Sequence, residues 1–211
     1  MRKAPVQTRS KQMVDSLLEA TARTVAERGF AETTTNHIAA RAGVSVGSLY
    51  QYFASKDALL DALSDKLSSD LAQLLNQRLQ THLDADLESV LRDLVTAVFD
   101  FFEAENGLYL ELVRHWHHPR TERSINRLEQ QLMELSRLYF LHHHGEFGIR
   151  NLPAVLFVMF NSAVFTGVRY LSRPPPFLKR EEVIEGLVAM LTGYLRQMSP
   201  PPAPKRGRRG S

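Results

Sequence analysis

The 211-residue chain contains no cysteine, which removes disulfides, thiolate zinc sites and thiol nucleophiles at once. Tryptophan occurs once, at Trp116, and glycine and proline are missing between Gly47 and Gly107. No segment alternates apolar with polar residues over a useful length, so the chain reads as all-α. The longest apolar run, AVLFVMF at 154–160, is far too short to cross a bilayer. The basic start MRKAPVQTRSK leads into a mixed helix and not into an apolar stretch; no signal peptide is expected, and a cytoplasmic location is. There is no Gly-rich phosphate loop, no G-x-S-x-G, no H-E-x-x-H and no convincing acid/base pair, so no catalytic residues and no cofactor are assigned.

What is present is an ordinary apolar fraction, 44%, enough for a buried core, and a divided charge. Residues 1–56 carry eight Lys/Arg against four Asp/Glu, residues 57–198 carry fourteen against nineteen, and the tail from 199 carries four against none. A polyanion should therefore meet the head while the acidic body is repelled, the tail being either a solubilising end or a further nonspecific contact. Domains are drawn accordingly: 1–56 as an N-terminal arm and head, 57–198 as a helical body, and 199–211, SPPPAPKRGRRGS, as a basic segment too polar and Pro/Gly-rich to bury a core.

The head ends in FAETTTNHIAARAGVSVGSLYQYFASKDALL, residues 30–60. Thr34 or Thr35 can cap a short helix over 36–42, with Ile38 and Ala42 on its apolar side. Gly43 can stop that helix in the left-handed conformation, Val44 fills the corner, and Ser45 caps a second helix over 46–53. In that helix Leu49 and Phe53 face Ile38, which leaves Val46, Gly47, Ser48, Tyr50, Gln51 and Tyr52 outward. Such a surface of small, hydroxyl, amide and phenol groups suits the major groove of DNA.

The ordered string ERGF, the paired threonines, IAARAGVS, LYQYF and SKDALL over roughly residues 12–60 resembles the N-terminal domain of the TetR family of transcriptional regulators. The resemblance implies a ligand-responsive regulator, most simply a repressor, that binds a palindromic operator in double-stranded DNA as a homodimer. By the same resemblance Thr35, Tyr50 and Lys56 hold phosphates. Asn36, Val46, Ser48, Gln51 and Tyr52 face bases or the adjacent backbone, Ser45 sits at the helix start, and Gly47 permits close approach. Arg2, Lys3, Arg9 and Lys11 are expected to form an arm along the duplex. The rival readings are an all-α enzyme or a protein-binding scaffold carrying a similar head.

Beyond the head, a first helix over 11–28 carries Val14, Leu17, Leu18, Thr21 and Val25 on one stripe. A fourth helix, capped by Ser55, runs about 24 residues through Leu60, Leu63, Leu67, Leu71 and Leu74 to Leu79. Helices follow near 85–104, 108–116, 119–142, 152–171 and 180–197, separated by Gly and Pro clusters. The segment 154–171 is apolar almost all round, and the last helix adds Gly186 and Gly193, seven apart, so a second copy can pack closely there. The resemblance places the dimer interface on these last two helices, and implies a small-molecule effector bound in the body. Candidates to line that pocket are Phe99, Phe102, Tyr109, Leu112, Val113, Trp116, Leu132, Tyr139, Phe157, Phe160, Asn161 and Phe165, the alternative for each being ordinary core packing. Asn161 stands out because an amide in an apolar helix needs a partner. Of two histidine groups, His115, His117 and His118, then His142, His143 and His144, only His115 and His118 have a usable spacing, with Glu111 the one acidic residue at helical spacing, and no metal site is assigned.

Overall fold

Leu17, Leu18, Ala22 and Val25 are all but sealed from water along the first helix, α1 (Ala4–Glu32), because they recur at helical spacing on one side. Two threonines share that side without penalty, since Thr21 donates to the Leu17 carbonyl at 2.7 Å and Thr24 to the Ala20 carbonyl at 2.6 Å, so that both of these hydroxyls are paired. The helix is broken at Gly29, whose φ of 73° is accessible to glycine at little cost. The computed structural model describes residues 4–107, 109–114, 119–143 and 149–199, apart from the side chains of 4–7, 105–107, 112, 113 and 119–121.

Eight further helices follow among the described residues: α2 (Thr35–Ala42), α3 (Val46–Tyr50), α4 (Lys56–Thr81), α5 (Leu87–Gly107), α6 (Leu110–Arg114), α7 (Pro119–His142), α8 (Leu152–Ser172) and α9 (Arg180–Met198). The all-α expectation holds. The expected arm is helical from Ala4 onward; Arg9 and Lys11 are exposed on its first turns, while Arg2 and Lys3 lie outside the described residues. So do Trp116, His115, His117, His118, His144, the Gly145 to Gly148 break and the tail from residue 200.

The first core joins α1 to the short helices. Ile38, Ala39, Leu49 and Phe53 pack on Leu17 and Leu18, and Leu59 and Leu63 of α4 close the cluster. The head's core therefore runs past residue 57. The second and third cores belong to the body, where α4 lies along α7, α5 along α9, and α8 against α5, α6, α7 and α9. Asp86 starts α5 by accepting from the Ser89 hydroxyl at 2.6 Å and the Ser89 N–H at 3.1 Å. Those bonds hold its carboxyl below the usual range. The cap's contribution is thus present above the ordinary carboxylate range and lost as pH falls through the lowered value.

Residue by residue, α8 is buried at Val155, Leu156, Met159, Gly167 and Leu171 and exposed at Phe157, Val158 and Phe165. By length and composition it is the one described helix that could cross a membrane, a point the short run 154–160 does not reveal. Its buried stripe, however, packs into the helical body.

Candidate nucleic-acid interface and cavity

The turn between α2 and α3 is built from local chemistry. Thr34, not Thr35, caps α2, accepting from the His37 N–H at 3.2 Å. Gly43 ends it at φ 69°, ψ 27°, the left-handed conformation that lets the chain turn without a Cβ clash. Ser45 then accepts from the Ser48 N–H at 3.0 Å, and the two serine hydroxyls meet at 2.8 Å. The second helix is shorter than expected. It stops at Tyr50 because Gln51 N–H bonds Ser48 O and Tyr52 N–H bonds Leu49 O, at 3.2 and 3.0 Å, tightening the last turn into i→i−3 bonds.

Of the residues expected outward, Asn36, Ser45, Gly47, Tyr50, Gln51 and Tyr52 are exposed, with Tyr50 at 50%. Val46 and Ser48 are half-buried, and Val46 packs on the head's core. A Cβ at Gly47 would meet only the Ser45 hydroxyl, at 3.8 Å, so the surface is open there. Thr35 and Tyr50, expected to hold phosphates, have their hydroxyls 3.3 Å apart, which sets the start of α2 beside the end of α3. Lys56 donates to the Phe30 carbonyl at 3.2 Å, pinning the start of α4 to α1. Two contacts of this face were not legible in the sequence, the Arg41 to Glu27 ion pair and the ring of His37 on the Glu32 carbonyl at 3.1 Å; both need the fold to bring distant or non-periodic positions together.

The body holds a cavity of about 170 Å³ between α4, α5, α7, α8 and α9. Phe99, Phe102, Leu132 and Phe160 line it as expected. Four other candidates do not. Tyr109 stacks on Phe101, with centroids 6.0 Å apart; Tyr139 is core and donates to the Ala85 carbonyl at 3.1 Å; Phe157 is 53% exposed and Phe165 58%. Nor does Asn161, which is exposed and satisfies its amide on the Phe157 carbonyl one turn back, at 2.9 Å. The side chains of Leu112 and Val113, and the whole of Trp116, lie outside the described residues. Lining residues not named as such from the sequence come from all five helices, among them Ser64, Ser68, Leu71 and Leu75 of α4 and Ser124 and Leu128 of α7; the signal on α4 was the four-residue spacing of serines among leucines. His142 and His143 are occupied by the Asp84 carboxylate at 2.9 Å and the Leu83 carbonyl at 2.7 Å.

Gly167 lines the cavity, and a Cβ there would meet Phe99 at 3.9 Å, an ordinary contact. Gly167→Ala is therefore expected to raise stability by about 0.5–1 kcal/mol, through the gain of alanine over glycine inside a helix, as urea unfolding would register. A loss instead would show that the wall at this point is tightly packed.

The pattern of bacterial regulatory proteins of the tetR family matches residues 17–63, and that of the tetracyclin repressor-like C-terminal domain matches residues 86–195. Over 148 residues the chain is 27% identical to YerO of Bacillus subtilis strain 168, an uncharacterized HTH-type transcriptional regulator, covering 69% of this chain and 51% of YerO. It thus spans about half the length of that curated relative. A TetR-family transcriptional regulator from Mesorhizobium loti shares the fold with a TM-score of 0.75 at 15% identity, over 91% of this chain and 99% of that one. FadR of Thermus thermophilus, a TetR-family repressor solved in complex with lauroyl-CoA, shares it with a TM-score of 0.62 at 22% identity, over 92% and 99%.

Proposed function

The chain belongs to the TetR family of transcriptional regulators, and we propose that it acts in the cytoplasm as a homodimeric repressor, without catalysis, released from a palindromic operator by a small molecule bound in the body cavity. The observation that carries the DNA-binding half is α3 itself. Leu49 anchors it in the core, Ser45 fixes its start, and Gly47, Tyr50, Gln51 and Tyr52 are exposed. Thr35, Asn36 and Lys56 complete the rim, where hydroxyls and an ammonium suit phosphates and the Gln51 amide suits an adenine edge.

Homodimerisation is supported by the uncovered apolar face of α8 and α9. Phe157, Val158, Phe165 and Met190 are exposed there, and at Gly186 and Gly193 an added Cβ meets nothing within 4 Å. Effector control is supported by α4, which lines the cavity from Ser64 to Leu75 and carries Leu59 and Leu63 of the head's core at its other end. A ligand that favours a different setting of α4 moves the two heads of a dimer relative to each other. Only its difference in affinity between the two settings releases DNA.

The assignment of phosphates and bases is tested by two substitutions. Lys56→Ala should weaken binding to every sequence and lower the salt dependence by about one unit of slope, because a phosphate contact releases roughly one counterion. Gln51→Ala should change the ranking of operators, by about 1–3 kcal/mol at one base pair. Equal weakening of all operators by both variants in gel shifts would remove Gln51 from the reading surface.

A further inference from the structure

Among the described residues the cavity wall carries no charged side chain, and only Ser64, Ser68 and Ser124 are polar. All three sit where α4 meets α7. Two have already committed their hydrogens, Ser68 to the Ser64 carbonyl at 3.0 Å and Ser124 to the Asp65 carboxylate at 2.9 Å. The Ser64 hydroxyl, on a residue 6% exposed, makes no hydrogen bond among the described residues and so keeps both a donor and an acceptor for a guest. The remainder is hydrocarbon, with Phe99, Phe102 and Phe160 on the α5 and α8 sides.

From this lining we infer that the cavity takes an uncharged, mainly hydrocarbon molecule with a single hydrogen-bonding group, received by Ser64, and that it rejects carboxylates, phosphates and amines. A buried charge needs a partner or it is expelled, and the described lining offers no charged partner. In size the space suits a guest of roughly one to two aromatic rings or a medium alkyl chain, given that an apolar cavity of about 150 Å³ admits benzene. The inference rests on the reading of this cavity as the effector site.

Matched probes separate the two ideas. Calorimetric titration of the full chain with 1-octanol, octanoate and octylamine, which share a chain and differ in the head, should show octanol binding at least about tenfold more tightly than either ion. Ser64→Ala should weaken octanol several-fold. Ala163→Leu, which fills the cavity, should abolish its binding, with Gly167→Ala as the milder filler should the first variant fail to fold. Octanoate or octylamine binding as tightly as octanol overturns the inference, as does octanol failing to bind at saturation. A parallel gel shift uses DNA selected by the protein from a random pool. Octanol that binds but leaves that complex intact overturns the effector reading and keeps the ligand class; release by a charged probe alone does the reverse.

Discussion

Phe165→Asp is expected to yield a folded monomer whose affinity for the operator falls by about two orders of magnitude or more. Phe165 is 58% exposed on α8, beside Phe157 and Val158, so a carboxylate there costs the isolated subunit little. In a dimer built on this face the same carboxylate is buried without a partner. Once the subunits separate, the second recognition helix is no longer held near its half-site, and linkage of two sites is worth about 10²–10⁴ in affinity. Sedimentation and gel shift on one preparation check both parts. A variant that still sediments as a dimer, or an unsubstituted protein that is monomeric at micromolar concentration, refutes the interface.

Leu49→Ala should have the largest effect on folding. The side chain is fully buried between Ile38, Leu17 and Leu59, and truncating such a leucine costs about 2–5 kcal/mol. That is a large part of a typical stability of about 5–15 kcal/mol. The five residues of α3 cannot offset the loss, since a helix so short is unstable without tertiary packing. Urea unfolding should show the midpoint fall sharply and DNA binding vanish. Tyr50→Ala on the other side of the same helix serves as the contrast, with stability changed by no more than about 0.5 kcal/mol and DNA affinity reduced. Equal destabilisation by both would mean that α3 is not oriented as described.

The turn was legible in the sequence because its determinants are local. Thr34, Gly43, Ser45 and Ser55 act on backbone groups within three or four residues of themselves, and no long-range pairing has to be known. The cavity was legible only in part. Phe99 and Phe102, offered as lining on the resemblance and their bulk, border the cavity, but the serine wall depends on how α4 meets α7, as where Ser124 donates to Asp65, 59 residues away in sequence, which periodicity does not encode. Asn161 misled for an instructive reason. An amide in an apolar helix was taken to need an outside partner, whereas its own helix supplies one, the Phe157 carbonyl, on a side open to water. Phe157 and Phe165 of α8 lie on the exposed side while Phe160 borders the cavity; an all-round apolar helix signals two buried sides without saying which one borders a cavity and which a second subunit.

The run of α4 through both cores bears on how such a regulator can be recombined. Leu59 and Leu63 belong to the head's cluster, Leu71 and Leu75 to the body's, and no break separates them along Lys56–Thr81. A head excised at residue 56 leaves behind two leucines that seal it. A hybrid that keeps this cavity and borrows another protein's operator specificity must therefore take the first two turns of α4 from the donor as well, and the splice belongs on the outward side of the helix between Leu63 and Leu71.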